Sequence, residues 1–177
     1  QLGFKLPALL TARARVDTET TETLFGDDAE RDAFVYSMYA DLIAGRIGPH
    51  TLEQTLDTAN FFPDNRKAIY DALDSIETTD CVERIFIHLN RRSPPYQFEC
   101  YGRRLVPIYN YLQASLVLLL DGRLSHQSVW YLAKHFSDGY QYSIEAHTRS
   151  LRDLLRRRLI RVTLLSELLN CAPSDKD

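Results

Sequence analysis

Glycine and proline are both scarce: seven of each in 177 residues, too few for a chain built from many short strands and tight turns. Cysteine is scarcer still. Cys81, Cys100 and Cys171 form an odd set without a C-x-x-C pair, which argues against a disulfide framework and for reduced thiols. Long hydrophobic runs are missing too. The longest, Ala114 to Leu120, is broken by Ser115 and falls far short of the roughly 18 residues a membrane span needs. No charged-then-apolar leader opens the chain, so a cytoplasmic protein without membrane contact is expected. No Gly-rich phosphate loop occurs, and His50, His88, His126, His135 and His147 contain no H-E-x-x-H. His126 and His135 share a predicted helix but stand about 13 Å apart along it, too far to share a metal ion. Cys81 and Cys100 read as small buried apolar groups, and the acidic pairs Asp27-Asp28 and Asp71/Asp74 as caps and solvated faces. The expectation is a protein that is not an enzyme, with no catalytic residues, metal, cofactor or small-molecule substrate.

A composition of 45% hydrophobic and 25% charged residues excludes disorder and fibrous classes. The length suits one ordinary domain or two small ones. The net charge of −3 hides an asymmetry. Residues 1–80 carry 7 Lys and Arg against 15 Asp and Glu, whereas residues 81–177 carry 14 against 9. An acidic half beside a basic half suits contact between copies or with a complementary partner.

Apolar residues at spacings of three and four mark a succession of helices. Leu2 to Leu10 reads as a short docking segment, because Pro7 works against a long helix. Thr18 to Asp28, rich in threonine and acids, reads as a linker. Ala33, Phe34, Met38, Leu42 and Ile43 then repeat with a helical period that Gly45 and Gly48-Pro49 end. Thr51 and Asp64 open the next two helices. Thr79 opens a fourth that carries Val82, Ile85, Phe86 and Leu89, and the strand-like Ile85-Phe86-Ile87 falls inside that period. A fifth is expected over Tyr96 to Arg104, and Pro107 precedes a long apolar helix through Leu120. After the turn Asp121-Gly122, helices follow from Ser125 to Phe136, from Ser143 onward and around Leu164 to Leu168, with Ser137-Asp138-Gly139 as a turn. The fold expected is all-α. Its divisions are a flexible or docking segment (1–29), a helical bundle (30–106), a second helical subdomain (107–172) and a disordered tail (173–177).

The densest charge is a run of arginines: Arg149, Arg152, Arg156, Arg157, Arg158 and Arg161. Arg149, Arg152 and Arg156 fall on one helical face, with Leu151, Leu154 and Leu155 on another. Such a face is solvated, docks an acidic partner or grips phosphates. Arg91-Arg92 and Arg103-Arg104 form a second basic locus, and Asp32, Asp41, Asp64, Asp71 and Asp74 an acidic one.

The order of these signals over residues 31–116 resembles a caspase recruitment domain, a six-helix member of the death-fold superfamily. The segments that carry it are RDAFVYSMYADLIAGRI, broken near Gly45, then PHTLEQTLDTA, NFFPDNRKAIYDAL, DCVERIFIHLNRR and PPYQFECYGRRLV. SVWYLAKHF, SLRDLLRRRLI and TLLSELL resemble the middle of a death-effector-like module. The resemblance implies a compact helical bundle, six-helix in its first half, with an appended helical second half. It also implies an interaction adaptor, in cell-death or innate-immune signalling, that docks homotypically or onto a protein partner through charged helix faces. Asp32, Asp41 and Asp71 would form the acidic side, and Arg91, Arg92, Arg103 and Arg104 the basic side, with Arg149, Arg152 and Arg156 as a further partner-binding row. Two alternatives stand beside it: a nucleic-acid-binding regulator using residues 143–158 near helix-turn-helix spacing, and a helical scaffold centred on Trp130.

Overall fold

The computed structural model describes residues 2–140 and 142–171; the expected disordered tail, 173–177, lies outside them. The chain divides into two compact units, residues 1–107 and 108–177. Helix accounts for 58% of it and strand for 10%, the strands forming a three-stranded parallel sheet. The all-α expectation is therefore corrected: the fold is mixed α/β, with helix dominant.

The first unit runs α1 (Leu2–Arg13), β1 (Glu22–Asp27), α2 (Asp32–Ile43), α3 (Pro49–Thr58), α4 (Pro63–Leu73), β2 (Val82–His88), a 3₁₀ helix (Pro95–Tyr101) and β3 (Leu105–Ile108), whose last residue already belongs to the second unit. β2 is the central strand. β1 pairs with it in parallel, from Glu22 opposite Val82 to Asp27 opposite His88, with a register shift between Glu22 and Thr23. Parallel neighbours need a long crossover, and α2, α3 and α4 supply it.

Three sequence expectations give way here. The linker Thr18 to Asp28 supplies β1, an edge strand whose residues are mostly half-buried. The expected fourth helix is β2, in which Val82, Ile85, Phe86 and Ile87 are all buried. A strand covered on both faces reads as a near-continuous apolar run, which periodicity alone does not separate from a helix. The expected fifth helix shortens to the 3₁₀ helix, after which β3 takes up Leu105 to Ile108. Pro107 fits there because β3 is an edge strand, where a missing N–H is tolerated.

The segment at Leu2 is also more ordered than expected. Pro7 lies inside α1, yet the helix persists because Leu6 and Leu10 are both 0% exposed where α1 packs on α2 and α4. Burying a leucine contributes about 1.5–3 kcal/mol, and tertiary burial of this kind outweighs local propensity. Val35, Tyr39, Ile43, Leu56, Ile69 and Ile85 complete the centre of this core.

At the end of α1, Arg13 is buried. Its guanidinium donates to the carbonyls of Asp17 (3.1 Å), Thr18 (2.8 Å) and Thr20 (2.8 Å) and to Glu22 Oε1 at 3.2 Å. The other Glu22 oxygen accepts from Tyr39 Oη at 2.7 Å. Burial, and after it the Glu22 carboxylate, pushes the Tyr39 phenol above its ordinary range. One buried cation thus folds the α1–β1 loop back on itself.

The second unit holds α5 (Tyr111–Leu120), α6 (His126–Tyr140), α7 (Ile144–Arg156) and α8 (Val162–Asn170). The apolar helix expected from Pro107 begins only at Tyr111, where Asn110 caps it by accepting from Gln113 N at 3.1 Å. Ser137-Asp138-Gly139, expected as a turn, continues α6. A polar network ties α5 to α7: Asn110 Nδ2 donates to Ser150 Oγ (2.9 Å), and Gln113 Nε2 to the Ser150 carbonyl and Asp153 Oδ2 (3.1 Å each).

Burial also holds the His147 imidazole below the ordinary histidine range. Its Nε2 lies 2.9 Å from Ser137 Oγ, and its ring meets Tyr142 edge-on. Folding therefore favours neutral His147. Its contribution is fully present above the unfolded pKa near 6.5 and is lost as pH falls through the lower folded value. Urea titrations read by Trp130, the one tryptophan, should show the second unit losing stability below pH 6.5. His147→Gln should flatten that slope, and an unchanged slope would discard the assignment.

No helix among the described residues is long and apolar enough to cross a membrane.

Candidate functional site

In parallel α/β sheets, ligands bind in the crevice beyond the carboxyl ends of the strands. β1 ends there on Asp27, and the turn from Asp28 to Arg31 leads straight into α2 at Asp32. The turn is built by its own carboxylates. Asp27 Oδ1 accepts from the N–H of Ala29 (2.8 Å) and Glu30 (3.2 Å). Asp32, 4% exposed, turns back so that its Oδ2 accepts from Asp27 N at 3.1 Å. This closure requires glycine at position 26, since a Cβ there would lie 2.5 Å from Asp32 Oδ2.

Lys5 reaches in from α1 and pairs with both Glu30 and Asp32. Burial works against its charge, but the two carboxylates outweigh it and hold the ammonium above the ordinary lysine range. On the other side, Asp28 accepts from the N–H of Arg91 (2.8 Å) and Ser93 (3.0 Å) in the loop after β2. Burial opposes the Asp28 charge as well, and these donors overcome it, leaving the carboxyl below its usual range. The result is a ring of fixed charges at the strand ends. Lys5 is paired with Glu30 and Asp32, and Asp28 is held by the backbone of the loop that carries Arg91 and Arg92, whose side chains are exposed. Asp27 Oδ2 takes no hydrogen bond among the described residues, so one carboxylate oxygen stays available. Among the described residues, no group of three or more His, Cys, Asp or Glu is arranged to hold a metal ion unaided.

The residues expected to dock a partner are dispersed. Asp32 is buried and ion-paired with Lys5. Asp41 pairs with Arg46 at 2.8 Å, and Asp71 pairs with Lys67 along α4. Arg91 and Arg92 are exposed at the site just described, Arg92 in the left-handed region with φ 59°. Arg103 is exposed ahead of β3, and Arg104 reaches Asp80 at 2.7 Å. Arg149, Arg152 and Arg156 are exposed on α7 in the second unit, Arg156 within 3.1 Å of Asp153.

Sequence reasoning missed Lys5, Gly26 and Glu30 as site residues and took Asp27-Asp28 for a cap and a solvated face. The available signal was the crowding of four acids into residues 27–32, directly after Leu24-Phe25-Gly26. Comparison of the chain with family models, curated proteins and solved structures returns no match.

Proposed function

We propose that the first unit binds a phosphorylated small molecule together with a divalent cation at the carboxyl ends of β1 and β2, and handles the phosphoryl group there. One observation carries this reading: a lysine and several carboxylates converge at that crevice, around a turn so tight that only glycine fits at position 26. The absence of a three-carboxylate cage is compatible with it. Magnesium commonly takes one or two carboxylates, waters and the ligand's own phosphate oxygens.

The roles follow from the hydrogen bonds. Asp27, its Oδ1 fixed by two backbone amides, offers Oδ2 to the cation. An ammonium has three N–H donors, and Glu30 and Asp32 take two of those on Lys5. The third serves a phosphate oxygen. Arg91 and Arg92 add positive charge at the rim, and Asp28 anchors the loop that carries them. This role stands ahead of charge-driven partner docking because Asp32, the first residue of that acidic face, is buried.

Calorimetric titration of magnesium into the full chain tests the proposal. Binding should need saturating inorganic phosphate, and Asp27→Asn should weaken it by about tenfold or more, ~1.4 kcal/mol. Asp71→Asn, on the exposed side of α4, should change nothing. A wild-type protein that takes up no magnesium with phosphate present, or an Asp27→Asn variant that binds as well, would refute the reading.

A further inference from the structure

A polar cavity lies where α2 ends and β3 begins, away from the carboxylate turn. It is a half-open hollow of about 300 Å³, and its walls include Ser37, Tyr101, Arg46, Arg103 and Arg104. Guanidinium groups outnumber carboxylates here. Asp41 takes Arg46 Nε at 2.8 Å, while Asp80 takes both Arg46 Nη atoms (3.0 and 3.2 Å) and Arg104 Nη2 (2.7 Å). Two carboxylates thus face three arginines.

The donors left over point to what is missing. Arg103 has no side-chain partner among the described residues, and Arg104 spends only Nη2. Ser37 Oγ is buried without a hydrogen-bond partner. A buried hydroxyl left unpaired is rare in a folded protein and calls for an explanation. Guanidinium forks match tetrahedral oxyanions in geometry as well as charge.

We infer that this cavity binds a small tetrahedral oxyanion, with Arg103 and Arg104 as cationic grips and the Ser37 hydroxyl as a further donor. Asp80 holds Arg46 and Arg104 side by side, so the grip is set before the anion arrives. Tyr101 forms an aromatic wall, and Gly102, at φ +77°, carries the chain past it in a conformation that favours glycine. The inference is independent of the site at the carboxyl ends and needs no metal.

Sulfate titrated into the full chain in EDTA, against chloride at matched ionic strength, is the test. Amide NMR shifts should concentrate at Ser37 and at Gly102 to Arg104. Arg103→Gln should weaken binding about tenfold, the usual scale for a lost hydrogen bond to a charged group. Ser37→Ala should weaken it less, and Arg103→Lys should restore part of the loss. Asp27→Asn should bind sulfate like the wild type, which separates this cavity from the magnesium-dependent site. Wild-type protein that behaves alike in sulfate and chloride overturns the inference, and so does undiminished binding by Arg103→Gln.

Discussion

Replacing Arg13 with methionine should destabilise the first unit by about 3–5 kcal/mol, the scale for removing one partner of a buried ion pair. The variant loses three loop carbonyl contacts at once and leaves Glu22 facing Tyr39 and a hydrocarbon chain. Hydrogen exchange is the suitable readout, because Trp130 lies in the second unit and would not register the change. Protection should fall at the amides of β1 and β2 and stay as it was in α5 to α8. Adding Glu22→Gln should recover part of the loss, since it removes the stranded charge. Unaltered protection in Arg13→Met would show that the loop is held by something other than this cation.

Gly26→Ala is the second large effect expected. The new Cβ would sit 2.6 Å from Asp32 Cβ as well as 2.5 Å from its Oδ2, distances at which something must move. Asp32 cannot simply swing out, because Lys5 and the Asp27 amide hold it in a buried position. Overpacking of this kind costs about 1–3 kcal/mol. Any relief displaces a carboxylate that orients Lys5, so magnesium uptake in the presence of phosphate should be lost together with stability. Retention of full uptake by Gly26→Ala would separate the turn from the function assigned to it.

Helices with one apolar stripe were the legible part of this sequence. α2 shows its period in Ala33, Met38, Leu42 and Ile43, which are all buried. α7 declares itself through the Ser143 cap, which accepts from Ala146 N at 3.3 Å, and through the arginine row opposite its buried face. The strands were not legible, for two different reasons. β2 carries apolar residues on both faces, so its Val82, Ile85 and Phe86, with Leu89 just beyond it, mimic a helical repeat. β1 lies at a sheet edge, half-buried, with an acid at each end and only Leu24 and Phe25 as large apolar residues, too few to show a period.

The candidate site follows from that failure. Asp27, Asp28 and Asp32 acquire a shared purpose only when β1 is recognised as a strand whose end they decorate. Without the strand, the same acids look like an ordinary helix start. Lys5 was out of reach for another reason: it joins Glu30 across 25 residues, through packing of α1 that Pro7 made locally improbable.

The long crossover between the two paired strands has a consequence for biosynthesis. β1 leaves the ribosome more than fifty residues ahead of the strand that completes it, and contacts so remote in sequence form late. Until β2 and the loop after it emerge, the nascent chain carries a strand without its mate, and Asp28 lacks the Arg91 and Ser93 donors that hold it. The acidic turn, charged and well hydrated, is suited to that wait, and its Asp28 end is anchored only when Arg91 and Ser93 arrive.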